Sequence, residues 1–265
     1  MLHVAADVGP RDGPVVVLIH GIASSAATFA SVNSVLTGHR LIFLDLLGFG
    51  HSVATRDTRY STEDHAAALA ATIERLKLRS FTLVGHSLGA LTAARYAASN
   101  EHRLTAVVLV SPPIYVPTST LPEGATRTAM GLYLRSYDYL RDNKRFTIRL
   151  SRFVSRLLPV REMLEVTDRN WPAFEASMKN AVEAQTAVAD IASTKVPVEI
   201  VYGTLDPFVI PEMISLLGAL RQVRVHRVLG STHIIGRALA GEVARVIEQH
   251  APLRPPVSPH SECSR

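Results

Sequence analysis

The amino-acid sequence predicts an α/β fold: a doubly wound, mostly parallel sheet of seven or eight strands with an inserted helical cap. Short β-branched runs alternate with helical stretches along the chain, which is typical of βαβ units. Most of these runs carry apolar residues on both faces, as buried parallel strands do. The alternation breaks once, between Pro112 and Lys195, where the chain shows helical periodicity and no strand-like run. This break predicts the cap.

Six apolar runs predict the strands of the core, and the last of them is more polar, which suits a sheet edge. The predicted strands are Val15–His20, Leu41–Asp45, Phe81–Gly85, Thr105–Val110, Val198–Tyr202 and Val223–Leu229. Helical patterns separate them, at Thr28–Leu36, Thr62–Leu76, Leu88–Ser99, Pro211–Leu220 and Ile235–Gln249.

The domain organisation follows from this pattern. Residues 1–112 and 195–251 form the predicted core, and residues 113–194 form the predicted cap. The tail at 252–265 contains four prolines and is predicted to be disordered. A chain of 265 residues is long enough for one large α/β domain.

Composition excludes several classes of protein. Hydrophobic residues make up 47% and charged residues 19%, which is typical of a globular chain. The net charge of +5 is not accompanied by zinc-finger spacing, an RNA-binding aromatic pattern or a long basic run, so we expect no nucleic-acid partner. The single cysteine, Cys263, rules out an intramolecular disulfide. Because no signal peptide or membrane-spanning run is recognisable, we expect a cytoplasmic location.

A candidate nucleophile lies in the segment Gly85-His86-Ser87-Leu88-Gly89, between an apolar strand and an Ala-rich helix. A sharp strand-to-helix turn of this kind, G-x-S-x-G, exposes the serine hydroxyl above the end of the strand. An ordinary Gly-rich turn is the alternative interpretation of the motif alone. Ser87 is therefore the predicted nucleophile.

A serine hydroxyl needs a base, and that base needs an orienting acid. His233 follows the last predicted strand in a Gly/Ser/Thr-rich loop, and Asp206 lies in a turn after Val198–Tyr202. A loop histidine or an Asp-Pro turn is often only structural. The chain order Ser, Asp, His, with each residue at a strand end, makes the three a predicted catalytic triad.

The reaction also needs donors for an oxyanion, usually two backbone N–H groups. The residue after the nucleophile, Leu88, is one predicted donor. Ile22, in the loop after the first long strand, is the other. His20 is interpreted as a structural histidine that holds this loop.

Together these motifs resemble the α/β-hydrolase superfamily. The resemblance rests on five segments that occur in the family's order, namely His20-Gly21, Asp45 to Ser52, Gly85 to Gly89, Gly203 to Asp206 and Thr232-His233. It implies an eight-stranded sheet, a helical lid after the sixth strand, no cofactor and no metal. It also implies that Asp45 to Ser52 is a structural turn. The segment Leu2–Gly9 looks like the family's second strand, so a count of seven is also open.

The subfamily is partly constrained by the residues beside the triad. Haloalkane dehalogenases and epoxide hydrolases carry aspartate at the position of Ser87 and are disfavoured. Carbon–carbon bond hydrolases often have Asn before the serine, Met after it and Trp after the histidine, where this chain has His86, Leu88 and Ile234. Esterases, lactonases, thioesterases and cofactor-free perhydrolases stay open.

The cap contains a basic amphipathic segment from Arg135 to Arg161. We interpret it as a lid whose apolar face covers the pocket, while docking on anionic lipid or attraction of acidic substrates are alternatives. The aromatic residues of the cap could line an apolar acyl or alcohol pocket, but core packing is the commoner role, so none is a predicted site residue; they are Tyr133, Tyr137, Phe146, Trp171 and Phe174. Ser111 and Phe208, just beyond strand ends, are the predicted pocket residues.

The leading hypothesis is hydrolysis of a carboxylic ester, lactone or thioester through an acyl-enzyme on Ser87, with a small apolar ester as substrate and no cofactor. Carbon–carbon bond hydrolysis, or acyl transfer as in acyltransferases and perhydrolases, would use the same triad. A ligand-binding protein without catalysis and a membrane-binding module are the further alternatives.

Overall fold

The computed structural model describes residues 1–116, 124–156 and 165–251. The predicted tail at 252–265 lies outside the described residues, as do Leu157 and Arg161 at the end of the basic cap segment.

The described residues form a seven-stranded sheet in the order β1-β3-β2-β4-β5-β6-β7. The strands are β1 (Val4–Val8), β2 (Val15–Ile19), β3 (Arg40–Leu44), β4 (Phe81–His86), β5 (Leu104–Val110), β6 (Val198–Gly203) and β7 (Val223–Val228). β1 pairs antiparallel with β3, and all other pairs are parallel. The prediction of a mostly parallel sheet is confirmed. The count is seven, so the eight strands implied by family resemblance are not found among the described residues.

Helices cover both faces of the sheet. In the core they are α1 (Ala30–Val35), α2 (Thr62–Arg75), α3 (Leu88–Asn100), α8 (Pro211–Leu217) and α9 (Arg237–Gln249). Between β5 and β6 lie α4 (Ala125–Asp142), α5 (Lys144–Ser155), α6 (Trp171–Ser177), a π-helical turn at Met178–Glu183 and α7 (Ala187–Ser193). The predicted helix at Thr28–Leu36 begins as a 3-10 turn at Ala26–Phe29.

The two faces of the sheet bury separate apolar clusters, because alternate residues of each strand point to opposite sides. Val17 and Ile19 of β2 belong to the cluster that α2 and α3 cover. Val16 and Leu18 belong to the cluster that α9 covers. The core strands are apolar on both sides for this reason.

The parallel register brings the carboxyl ends of the central strands to one edge. Ile19 is paired with Gly85, and His86 with Val110, so the loops after β2, β4 and β5 begin side by side. Val201 pairs with Val110 of β5 and with His226 of β7. Ligand sites in open α/β sheets lie at such an edge. None of the described helices is both long and apolar enough to span a lipid bilayer.

Candidate active site

Ser87 occupies the turn between β4 and α3, with a backbone conformation of φ 54° and ψ −121°. A non-glycine residue with positive φ is strained, and such strain persists only where the surrounding structure imposes it. Close packing imposes it here. A Cβ atom on Gly85 would lie 2.2 Å from the Gly89 carbonyl oxygen, and one on Gly89 would lie 2.3 Å from the Ile19 oxygen. The two glycines therefore let strand and helix approach closely enough to form the turn.

His233 and Asp206 form a direct pair. His233 Nδ1 lies 3.0 Å from Asp206 Oδ1 and 2.9 Å from Oδ2, and the Phe208 N–H donates to Oδ1 over 2.9 Å. Burial alone would raise the pKa of the Asp206 carboxyl, but hydrogen bonding and charge from His233, together with Ser111 and the Phe208 N–H, lower it overall. A carboxylate held in its ionised form fixes the proton of His233 on Nδ1 and leaves Nε2 as a base.

Ser87 and His233 line the same cavity, yet no hydrogen bond joins them in the described part of the chain. His86 lies beside both. Its Nε2 donates to the His233 carbonyl oxygen over 2.9 Å, and the two rings are 4.8 Å apart. Burial lowers the pKa of His86 to about 3, so this ring is neutral. His86 thus holds the backbone of the His233 loop, a role that the sequence analysis did not assign to it.

The two predicted oxyanion donors, Ile22 and Leu88, also line the cavity. Neither backbone N–H has a hydrogen-bond acceptor among the described residues. The Ile22 loop is held by His20, which donates from Nδ1 to the Gly21 oxygen over 2.7 Å and accepts from the Leu46 N–H over 2.9 Å. Burial lowers the pKa of His20 to about 4. A neutral ring that is bonded on both sides fits the structural role predicted for it.

The cavity has a volume of about 640 Å³, which suits a ligand of drug-like size. Its wall is mainly apolar, and none of the described lining residues is Asp, Glu, Lys or Arg. Phe208 lies in this wall, with its ring edge-on to His233 at 4.7 Å and stacked on Tyr137 at 6.3 Å. The cap helices supply Leu140, Thr147, Leu150, Ser151, Val154 and Phe174, and the π-helical turn supplies Met178 and Val182.

Ser111 does not line the cavity, which corrects the prediction that it is a pocket residue. It is fully buried, and its backbone N–H donates to the Val201 oxygen. This hydrogen bond continues the pairing with β6 by one residue beyond the end of β5. The Ser111 hydroxyl makes no hydrogen bond of ordinary geometry with any described residue, although it is close enough to Asp206 to help lower the pKa of that carboxyl. Ser111 is thus a buried neighbour of Asp206 that does not reach the cavity.

The cap aromatics divide into two groups. Tyr137 and Phe174 line the cavity, whereas Trp171 packs against Phe174 behind the wall and Phe146 is exposed. The side chain of Tyr133 lies outside the described residues. Of the two interpretations that the sequence left open, pocket lining thus applies to Tyr137 and Phe174, which are also buried in the core, because a helical pattern does not reveal which buried side faces a cavity.

The described residues include one group that could hold a metal ion: His3, Asp45 and His51, away from the cavity. Asp45 is buried and already accepts from His3 Nδ1 over 3.0 Å and from the His51 N–H over 2.9 Å. These bonds fit the structural turn that family resemblance implied for Asp45 to Ser52.

Comparison with known proteins gives a family. The model for the alpha/beta hydrolase fold matches residues 14–236. The chain is 33% identical over 115 residues to a probable lysophospholipase, BODYGUARD 2, of Arabidopsis thaliana, covering 40% of this chain and 24% of that protein. It is 40% identical over 125 residues to a non-heme chloroperoxidase of Streptomyces lividans, covering 44% of each. These matches therefore span less than half the length of either relative.

Solved structures of other proteins are similar in fold to this one over almost the whole chain. The esterase of Exiguobacterium antarcticum has a TM-score of 0.75 at 18% identity, covering 92% of this chain and 93% of that one. The enol-lactonase of Burkholderia xenovorans LB400 has a TM-score of 0.68 at 22% identity, covering 94% and 95%. At these identities the likeness concerns the fold. Because the family model matches residues 14–236, which include β2 to β7, the chain belongs to the alpha/beta hydrolase fold family.

Proposed function

We propose that this protein is a serine hydrolase that cleaves a carboxylic ester, lactone or thioester through an acyl-enzyme. Ser87 is the nucleophile, His233 the general base and Asp206 the acid that orients it. The observation that carries the proposal is that His233, which lines the same cavity as Ser87, is paired with a buried Asp206. A base held by a carboxylate beside a strained serine is the arrangement that acyl transfer needs.

In the first half of the reaction, Ser87 Oγ attacks the carbonyl carbon while His233 Nε2 takes the hydroxyl proton. The negative charge that develops on the carbonyl oxygen is stabilised by the Ile22 and Leu88 N–H groups. As the tetrahedral intermediate collapses, His233 returns the proton to the departing alcohol or thiol. Substrate binding must bring Ser87 and His233 into hydrogen-bond distance, as often happens between a free enzyme and its complex.

In the second half, His233 takes a proton from water, and the resulting hydroxide attacks the acyl carbon. The same N–H groups stabilise the second oxyanion. The proton on His233 then passes to Ser87 Oγ as the acid is released. Asp206 stays ionised throughout and stabilises the imidazolium in each half.

The cavity wall supports an apolar substrate. A charged acyl or alcohol group would lose its hydration there and meet no opposite charge on any described lining residue. A neutral ester with hydrocarbon on at least one side of the carbonyl avoids this penalty.

One observation favours hydrogen peroxide as an acyl acceptor in addition to water. The Streptomyces lividans relative is named a non-heme chloroperoxidase. Hydrogen peroxide in place of water in the second half would release a peracid with the same triad. Carbon–carbon bond cleavage has less support, because His86, Leu88 and Ile234 depart from the residues common in that group.

Fluorophosphonate labelling combined with a panel of p-nitrophenyl esters of graded chain length tests the proposal. We expect labelling of the wild-type protein and its loss in Ser87→Ala. Hydrolysis should fall by about 10⁴-fold or more in Ser87→Ala and in His233→Ala, since members of a triad act as a unit. Addition of hydrogen peroxide to the same assay measures peracid release.

Ser34→Ala is the matched control, because Ser34 is an exposed serine whose hydroxyl, among the described residues, donates only to the Ser31 oxygen. Its labelling and activity should equal those of the wild type. Labelling that persists in Ser87→Ala would show that another residue is the nucleophile. A folded wild-type protein that neither labels nor hydrolyses any ester would favour a ligand-binding role.

A further inference from the structure

Helix α5 is amphipathic, and its inner face accounts for only part of its apolar content. Thr147, Ile148 and Ser151 are buried against the rest of the protein. The Thr147 hydroxyl donates to the Leu140 oxygen over 2.6 Å, and the Ser151 hydroxyl accepts from the Val166 N–H over 2.9 Å. These contacts fix which side of the helix faces solvent.

The outer side of α5 carries a stripe of large apolar residues. Phe146, Leu150 and Phe153 follow one another at helical spacing and are 46%, 39% and 61% exposed. Tyr139 of α4 extends the stripe, with its ring edge-on to Phe146 at 5.3 Å. The apolar face of this segment is predicted from the sequence to cover the pocket, but most of this stripe points into solvent.

A row of arginines runs beside the apolar stripe. Arg145, Arg149, Arg152 and Arg156 recur at the same helical spacing, and all four are exposed. None of them forms an ion pair with an acidic residue that the structure describes, whereas the neighbouring Lys144 pairs with Asp168 over 2.8 Å. Residues 143–156 contain no Asp or Glu. The row is thus a concentrated positive charge, which among the described residues is partly offset by the electrostatic interaction of Arg152 with Asp168.

The apolar stripe also reaches the cavity. Leu150 belongs both to the stripe and to the cavity wall, and Val154 on the next turn lines the same wall. On the other side of the cavity, Leu205 and Ile234 are exposed lining residues from the loops that carry Asp206 and His233. The exposed part of the cavity edge is therefore mainly apolar, with Thr232 as its exposed polar residue among the described lining residues.

We propose that the outer face of α5 docks on an anionic lipid surface, with its apolar stripe inserted among the acyl chains and its arginine row on the lipid phosphates. The proposed function enters in one further step: docking places the cavity edge against the lipid, so that an acyl ester from the bilayer is the substrate class that enters. Interfacial helices combine these same two features, a cationic row and large apolar residues.

Charge complementarity favours lipid over other anionic partners. A nucleic acid would engage the arginines but would leave Phe146, Leu150 and Phe153 exposed to water. A dissolved acidic substrate would need its positive partner inside the cavity, whose described wall has none. An anionic bilayer satisfies the arginines and buries the apolar stripe together.

Vesicle co-sedimentation of the Ser87→Ala protein tests docking without any turnover. We expect binding to vesicles that contain phosphatidylglycerol, little binding to pure phosphatidylcholine, and loss of most binding at roughly 0.5 M salt. Arg149→Gln with Arg152→Gln should weaken binding by about 25-fold, because each basic residue near an anionic surface contributes about fivefold. Phe146→Ser with Phe153→Ser should weaken it by about tenfold.

Arg79→Gln with Arg221→Gln is the matched control, because it removes the same charge from two exposed arginines outside α5. This pair should change binding by less than about twofold. Equal losses in the two arginine pairs would mean that only net charge matters and would overturn the proposal. Absence of binding to phosphatidylglycerol vesicles at low salt would overturn it as well.

Hydrolysis of a water-soluble ester by the wild-type protein reports on the proposed function separately. Vesicle binding without any ester hydrolysis would refute the proposed function and leave docking in place. Ester hydrolysis without vesicle binding would refute docking alone.

Discussion

The carboxyl ends of the central strands, called the strand edge below, and the cap both line one cavity. They constrain their residues very differently. At the strand edge, Ser87 is held in a strained turn, and an added methyl group on Gly89 would collide with two carbonyl oxygens, at 2.3 Å and 2.5 Å. In the cap, an added methyl group on Gly131 of α4 would meet no atom of the described residues within 4 Å, its chain neighbours and the nearby helix backbone apart. The proposed nucleophile thus lies where backbone packing is tight, whereas the position of Gly131 in the cap has open space beside it.

This contrast separates two kinds of requirement. A nucleophile and its base must be placed within fractions of an ångström, which rigid strand ends achieve. A pocket for an apolar chain needs volume and low polarity, which many side-chain combinations supply. Substitutions at the strand edge should therefore change stability and rate, and those in the cap should change which substrate fits.

The largest expected effect is on stability at mildly acidic pH. Burial lowers the pKa of His20 and of His65 to about 4 and that of His86 to about 3. The unfolded chain binds these protons near pH 6.5 and the folded protein does not. Their contribution is therefore complete above pH 6.5 and is lost as pH falls toward 4. Three such groups should reduce the free energy of unfolding by about 4 kcal/mol at pH 5.5.

Urea denaturation between pH 7.5 and pH 5.5 measures this loss. His65 lies at the boundary between core and cap, with its Nε2 3.1 Å from the Ser177 hydroxyl of α6. In His65→Gln, the free energy of unfolding that is lost between pH 7.5 and pH 5.5 should be smaller by about a third. If the free energy of unfolding of the wild-type protein is the same at both pH values, His20, His65 and His86 are not buried in their neutral form.

A pair of glycine substitutions tests the contrast in packing directly. Gly89→Ala should lower the free energy of unfolding by about 3 kcal/mol or more, because the new Cβ overlaps backbone oxygens of β2 and its loop. Gly131→Ala lies inside a helix with free space around it and should raise the stability by about 0.5 to 1 kcal/mol. Thermal unfolding of both variants provides the comparison. If the two changes have the same sign, the proposed difference between the regions is wrong.

The smallest effect concerns substrate choice. Leu140 of α4 lines the cavity, whereas Ile148 of α5 is buried in the cap without lining it. Leu140→Ala should shift the ratio of kcat/KM values between long-chain and short-chain esters by about tenfold toward the longer ones. Ile148→Ala should lower stability and leave this ratio within about twofold. A ratio that changes equally in both variants would indicate a general loosening of the cap.

Much of the fold could be predicted because its signals are local. The predicted strands agree with β2 to β7 to within one residue at each end, since an apolar β-branched run between turn residues has few other folded states. The Ser87 turn is local in the same sense, because five consecutive residues determine it. The role of His86 could have been suspected from its place beside the nucleophile, but its bond to the His233 oxygen joins residues far apart in the chain.

The amino-acid sequence by itself determined the parallel sheet, the turn at Ser87 and the loop positions of Asp206 and His233, because hydrophobic periodicity and turn chemistry act over a few residues. Only the tertiary structure decided the rest. The choice between seven and eight strands was open, and the place of β1 in the sheet depends on its antiparallel pairing with β3. The exclusion of Ser111 from the cavity depends on its contact with β6. The outward direction of Phe146 and Phe153 depends on which side of α5 the rest of the protein covers. Each of these outcomes comes from contacts between distant segments, which no local pattern encodes.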